Sequence, residues 1–244
     1  MEKGRTPCLP LVQMPTRSSS RPFVTANFAM TWDARISTRN STPSTFSSAR
    51  DKRRLVEIRA QCDAILASAK TIAADNMTMG LPDEALRATR TKRRQSAYPL
   101  RVLLTNSGRI NPQLRLFEKT FSPIVIFSTT RMTAPTRHAL APRADLWLHD
   151  SPTVNLTEMM ATLRADYAVK RLVCEGGSQV FRALLTAGLI DELHLTLAPR
   201  LFGGRTAPTL TSIAGDYLPQ STNLRLRSME VIEGECFLRY AIRS

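Results

Sequence analysis

Histidine and cysteine are scarce in this chain, with 3 and 4 copies in 244 residues. Cys8, Cys62, Cys174 and Cys236 lie far apart, and no C-x-x-C pairs them. That spacing excludes the common structural zinc patterns and a disulfide framework, so no metal is expected. Cys62 and Cys174 sit in apolar contexts and read as packed thiols of a reducing, cytoplasmic setting. No apolar run approaches the roughly 18 residues of a membrane span, so no membrane partner is expected. Glycine is also sparse, at 10, and neither G-x-G-x-x-G nor G-x-x-x-x-G-K-[ST] occurs.

Acidic residues are the minority charge, 20 against 34 Lys and Arg, which leaves a formal charge of +14. Such an excess attracts polyanions and phosphorylated small molecules. The basic residues are scattered, with short clusters at Lys52-Arg53-Arg54 and Lys92-Arg93-Arg94. Aromatics make up only 6% and do not interleave with those clusters, so no base-stacking platform is visible. A solvated basic surface is therefore favoured over a nucleic-acid face. The 43% hydrophobic content is enough for a sizeable core.

The most informative stretch present is Arg171 to Pro199. Leu172-Val173-Cys174 has the length of a buried strand, and Glu175-Gly176-Gly177-Ser178 follows it. Val180, Phe181, Leu184 and Leu185 then recur at helical spacing, Gly188 stops the helix, and Ile190 to Leu197 alternates as a strand. Paired glycines ahead of a helix let backbone N–H groups turn toward an anion, and a diphosphate is the natural guest.

Residues 1–20 are rich in Pro, Ser and Thr and read as a disordered tail; residues 21–244 read as one domain. Phe23 to Thr31 is a strand candidate, with Asp33 just past its end. Residues 37–48 form a polar loop able to close over a ligand. Ser48-x-x-Asp51 opens a helix with Leu55, Ile58 and Cys62 on one face and Arg59 beside them. Ala64 to Ala67, Arg101 to Thr105, Pro123 to Ser128 and Ala144 to His149 are further strands. The basic insert within residues 76–99 reads as an outer helix, Met132 to Leu140 as a short helix, and Asn155-x-x-Glu158 as a second cap. Leu224 to Ile232 and Cys236 to Ile242 form a hairpin around Gly234. Alternating strands and helices followed by antiparallel strands indicate an α/β fold: a mixed, mostly parallel central sheet flanked by helices, with antiparallel C-terminal strands. Asp33, Ser68, Asn106, Ser128 and Gly176 fall at strand ends, the ligand-binding edge of such sheets.

Three motifs at consistent spacing resemble the pyrimidine reductase family of riboflavin biosynthesis, whose fold is dihydrofolate-reductase-like. RPFVTANFAMTWDARIST resembles the family's RPYV-x-x-x-x-AMSLDG opening. Ile58 to Asp75 resembles LRAxxDAILxGxxTxxAD, and Glu175 to Gly204 resembles EGGxxLxxxLLxAGLVDELxLxLAPxLxGG. The resemblance spans about residues 21 to 243. It implies an NADPH-dependent reductase that converts the ribose of a ribosylaminopyrimidine phosphate to ribitol by hydride transfer.

By that resemblance the cofactor diphosphate lies on Gly176, Gly177, Ser178, Gln179, Val180 and Phe181, with Ala29, Thr71, Asp75 and Asn106 completing the cofactor positions. Asn27, Asp33, Arg59 and Glu175 face the substrate, with Arg59 suited to its phosphate. Ser128 and Arg131 are assigned to the 2′-phosphate of NADPH. Asp33 or Glu175 is the candidate proton donor. The family's SLDG is Trp32-Asp33-Ala34 here, its loop Trp is Thr45, and a basic residue common downstream of Asp75 is missing near Gly80 to Pro82. These departures fall on the substrate side. Two alternatives therefore stand: a reductase of the same fold for a pterin-like or other phosphorylated heterocycle, and a nucleic-acid-binding protein on a retired reductase fold. No H-x-E or P-C-x-x-C is present, so a stand-alone reductase domain without a fused deaminase is expected. Family members are often homodimers, and the apolar C-terminal strands could supply the interface.

Overall fold

A computed structural model describes residues 20–37, 46–204, 206–211 and 218–243. The expected tail, apart from Ser20, and most of the polar loop, with Thr45, lie outside the described residues.

The elements run β1 (Phe23–Thr31), α1 (Ala49–Gln61), β2 (Ala64–Ser68), α2 (Ala69–Asp75), α3 (Glu84–Lys92), β3 (Leu100–Leu104), α4 (Arg115–Glu118) and β4 (Ile124–Thr129). They continue as α5 (Ala134–Leu140), β5 (Asp145–His149), α6 (Leu156–Ala165), β6 (Arg171–Cys174), α7 (Ser178–Thr186), β7 (Glu192–Ala198), β8 (Asn223–Ile232) and β9 (Glu235–Arg243). One nine-stranded sheet has the order β5-β4-β3-β2-β6-β1-β7-β9-β8. The pairs from β5 across to β7 are parallel, and β9 and β8 close the edge antiparallel. The mixed sheet is the architecture expected from the sequence.

The central strands read as near-continuous apolar runs because helices cover both faces. On one face, Val24, Leu66, Val102 and Phe127 pack against Met159 and Leu163 of α6 and Val180, Phe181 and Leu184 of α7. On the other, Ile65, Leu103, Ile126 and Val173 pack against Ile58 of α1, Ile72 of α2 and Leu140 of α5. β6 is slotted between β2 and β1 and is clamped at its entry by Asp63. The Asp63 carboxylate accepts from the backbone N–H groups of Lys170 and Arg171, each at 2.9 Å.

Both helix caps form in part as the sequence suggests. Ser48 Oγ accepts from Asp51 N at 3.1 Å, and Asn155 Oδ1 accepts from Glu158 N at 3.2 Å. Ser48 N, however, donates to Glu235 Oε1 at 3.0 Å. That bond ties the start of α1 to the turn between β8 and β9.

The basic residues are not all solvated, which corrects the reading of a wholly surface charge. Arg90 of α3 is 1% exposed; its guanidinium donates to the carbonyls of Ala60 at 3.2 Å and Ser96 at 2.8 Å, and also to that of Cys62. It thereby satisfies the orphan carbonyls where α1 ends. Arg101 is equally buried and donates to the carbonyls of Leu116 at 2.8 Å and Lys119 at 2.7 Å, above the Phe121 ring. Burial pushes the Arg101 pKa down to about 10.

Candidate active site

A cleft of about 990 Å³ opens at the C-terminal ends of β1, β2, β3 and β6, where the first turns of α1, α2 and α7 converge. This is the switch region of the sheet, because the chain leaves β1, builds outward from β2 to β5, and returns to insert β6.

The glycine turn shapes one wall. Gly177 has φ +80°, and a Cβ there would stand 3.0 Å from Ser68 Oγ and 3.3 Å from Thr71 Oγ1. Gly176 is also closely covered: a Cβ would meet Thr71 Cγ2 at 3.0 Å and Ala67 Cβ at 3.1 Å. The paired glycines thus let the entry to α7 lie directly on the start of α2. Ser68 Oγ caps α2 by accepting from Thr71 N at 3.0 Å, and it also bonds Thr71 Oγ1 at 2.8 Å. The N-cap of α7 is Gly177 itself, so no side chain caps that helix. Its first-turn N–H groups have no side-chain cap, and Ser178, Gln179 and Val180 line the cleft wall.

Facing them is a buried ion pair. Arg59 of α1 donates from Nε and Nη2 to the two Glu175 carboxylate oxygens, each at 2.6 Å, and from Nη1 to Gly80 O at 2.8 Å. The side chains are 11% and 4% exposed. Burial works against the Arg59 charge, but the Glu175 carboxylate outweighs it and raises the guanidinium pKa. With both oxygens engaged, Glu175 is a fixed acceptor, and Arg59 is no longer a free partner for a phosphate.

Among the expected site residues, Asn27, Ala29, Arg59, Thr71, Asp75, Asn106, Glu175, Gly177, Ser178, Gln179 and Val180 are brought together on this one cleft. Asn106 Oδ1 accepts from Val154 N at 2.9 Å, fixing the turn that enters α6. Asp75 lies at the exposed mouth of the cleft, and partial desolvation raises its carboxyl pKa.

Five expected residues do not line it. Gly176 and Phe181 act from behind: Phe181 sits edge-on to Phe28, with centroids 5.0 Å apart, and seats α7 on β1. Asp33 is the main correction. Its carboxylate accepts from Thr31 Oγ1, from Phe202 N at 3.1 Å and from Gly203 N at 2.6 Å. The Thr31 hydroxyl first, acting against desolvation, and then the Gly203 and Phe202 N–H groups lower its pKa to about 2. It is a loop staple, ionised at neutral pH, not a proton donor. Ser128 is fully buried within β4, whose residues are all buried because both faces of the strand are covered. Arg131 is exposed outside the cleft lining; two residues before it, Thr129 Oγ1 donates to the Asn106 carbonyl at 2.9 Å.

Two cations on the walls had no role in the sequence reading. Lys52 shares a helical face with Leu55 and Arg59, and Lys70 precedes Thr71. The i, i+3, i+7 spacing of Lys52, Leu55 and Arg59 was a legible signal for the first.

A family model described as the RibD C-terminal domain matches residues 22–238. The chain is similar to the 2,5-diamino-6-ribosylamino-4(3H)-pyrimidinone 5′-phosphate reductase of Methanothermobacter thermautotrophicus, at 31% identity over 225 residues, covering 91% of this chain and 99% of that one. It is similar at 23% to the riboflavin biosynthesis protein RibD of Actinobacillus pleuropneumoniae, covering 93% of this chain but 58% of that one. Its fold is that of a pyrimidine reductase-like protein from Corynebacterium diphtheriae, with TM-score 0.79 at 20% identity, covering 91% of this chain and 92% of that one.

Proposed function

The chain belongs to the RibD C-terminal domain family, and on that premise we propose that it is an NADPH-dependent reductase of a ribosylaminopyrimidine phosphate. The diamino form is the favoured substrate, since the 31% identical relative carries that name along nearly its whole length. The reaction reduces the ribose C1′ and leaves a ribitol chain. The observation that carries this reading is the convergence, in one cleft, of the uncapped start of α7 and the Arg59–Glu175 pair.

The residues present fit a dinucleotide. The uncapped start of α7 at Ser178, Gln179 and Val180, set against the hydroxyls of Ser68 and Thr71 because Gly177 has no Cβ, suits a diphosphate. When bound there, the nicotinamide group supplies a hydride to the sugar carbon. Everything else is the work of the chain. Asn27 and Ala29 form the floor at the end of β1. The Glu175 carboxylate edge, held by Arg59, accepts hydrogen bonds from the substrate and fixes its orientation. Lys52 and Lys70 supply the cationic contacts that Arg59, already paired, does not. Asp75, on the cleft wall at its mouth, is the carboxyl assigned to exchange a proton with the ring oxygen as the sugar opens.

A homodimer is part of the proposal. Leu224, Leu226, Met229 and Val231 on edge strand β8 are 46%, 49%, 60% and 63% exposed. A bulge between Leu226 and Ser228 shifts the alternation by one residue, so all four fall on one face. An apolar, unpaired edge ladder of this kind is suited to a second copy of the chain.

The experiment is NADPH oxidation at 340 nm with the diamino and the deaminated pyrimidine ribose phosphates. Turnover of the diamino compound is expected. NADPH binding without turnover of either would move the assignment to another phosphorylated heterocycle, and no NADPH binding would end it.

A further inference from the structure

The hairpin turn between β8 and β9 reaches the helix that walls the cleft through one side chain. Glu233 and Gly234 have φ of 51° and 82°, the left-handed pair that a two-residue hairpin turn takes. β9 therefore starts at Glu235, and strand alternation puts Glu235, Phe237 and Arg239 on one face. The Phe237 ring lies under Arg54 of α1, so this face looks at α1. Glu235 is 5% exposed, and both of its carboxylate oxygens go to Ser48, 187 residues earlier. Oε1 accepts from the Ser48 backbone N–H at 3.0 Å and Oε2 from its hydroxyl.

Ser48 is thereby fully engaged. Its Oγ also accepts from Asp51 N at 3.1 Å, and its carbonyl accepts from Lys52 N at 3.2 Å. A serine cap alone would hold the helix start. The buried carboxylate goes further and fixes both the serine backbone and the direction of its hydroxyl. On either side of this serine, Ser47, Asp51 and Lys52 line the cleft. Lys52 shares a helical face with Leu55 and Arg59, and Arg59 holds Glu175, so this is the substrate end. Lys70 stands instead beside Thr71, against the start of α7.

We propose that Glu235 is a positioning residue for the substrate: through Ser48 it sets the start of α1 so that the Lys52 ammonium meets the substrate phosphate. The role presupposes that the cleft takes a sugar phosphate, as the reductase reading has it. Glu235 itself is absent from the cleft lining and acts only through α1.

The test is a double-mutant cycle on the full chain, with ribose 5-phosphate as the probe and Kd read by calorimetry. Glu235→Gln replaces one acceptor oxygen by an amide and is expected to weaken ribose 5-phosphate about tenfold. NADPH binding should stay within about twofold. In a Lys52→Met background the same change should cost less than about twofold, because the group it positions is gone. With the pyrimidine substrate, KM follows the ribose 5-phosphate Kd and kcat holds. An unchanged ribose 5-phosphate Kd, an equal loss for NADPH, or losses that add in the double variant each overturn the role, as does a native chain that binds no ribose 5-phosphate. If Glu235→Gln does not fold, Ser48→Ala, which keeps the N–H bond to Glu235 and drops the hydroxyl, takes its place in the cycle. A native chain that shows this dependence yet reduces neither pyrimidine loses the reductase activity and keeps the positioning role.

Discussion

Arg59 and Glu175, 116 residues apart in sequence, meet through two parallel hydrogen bonds of 2.6 Å that join α1 to the end of β6. The pair is nearly enclosed, so removing one partner leaves an uncompensated charge. Glu175→Gln is expected to cost about 3–5 kcal/mol of stability, measured by denaturant unfolding. It should also raise KM for the substrate more than the Kd for NADPH. An effect on NADPH alone would remove Glu175 from the substrate side.

Gly177→Ala tests the cradle. The added methyl would face Ser68 Oγ at 3.0 Å in a backbone region that side chains avoid. Expected are a loss of about 1 kcal/mol or more and a Kd for NADPH raised at least tenfold, read by fluorescence titration. Gly188→Ala, at φ +65° with open space around it, carries similar backbone strain and should leave cofactor affinity unchanged.

Asp75→Asn separates chemistry from scaffolding. Loss of a general acid lowers kcat by about 10²-fold or more. A carboxyl with raised pKa is less at ease ionised in the fold than in the unfolded chain, so its removal should not lower stability at neutral pH. A destabilised variant with unchanged kcat would reject the role.

Asp33→Asn should do the reverse. A folded pKa of about 2, below the ordinary carboxylate value of roughly 3.9, contributes stability that is present above pH ~4 and lost as pH falls through about 2. The variant is therefore less stable than the native chain at pH 7, and the gap closes on acidification. Its kcat should stay within a few-fold of the native value.

Arg131→Ala probes cofactor choice from an exposed position outside the cleft lining. A reduced preference for NADPH over NADH, from kcat/KM with each, is expected if the guanidinium meets the 2′-phosphate. An unchanged ratio removes it from the site.

The homodimer is checked by sedimentation equilibrium. The native chain is expected at twice 27.2 kDa and Val231→Lys at 27.2 kDa. Since Val231 is already exposed, the substitution should barely alter the fold of the protomer.

Much of this was readable from residue order. β1 occupies the stretch Phe23 to Thr31 that alternation and β-branching pick out, and α7 begins at the serine after the paired glycines. Cleft residues on those elements were placed because strand ends and helix starts are local properties. What escaped was non-local. Asp33 follows a strand end, yet its partners at positions 202 and 203 come from far along the chain. Arg90 and Arg101 look solvated in sequence, because a charge does not announce which carbonyls will enclose it. The run Leu224 to Ile232 reads as an alternating strand, and only the bulge between Leu226 and Ser228 puts Leu224, Leu226, Met229 and Val231 on one face.

The late insertion of β6 has a consequence for biogenesis. A nascent chain that has emerged only through β5 holds β1 and β2 with no strand between them, since β6 alone pairs with both. Until residues 171–174 arrive, the sheet stays split and its buried edges lie open to chaperones or to misplaced strands. The glycine turn follows immediately, so closing the sheet and completing the cleft wall become a single event.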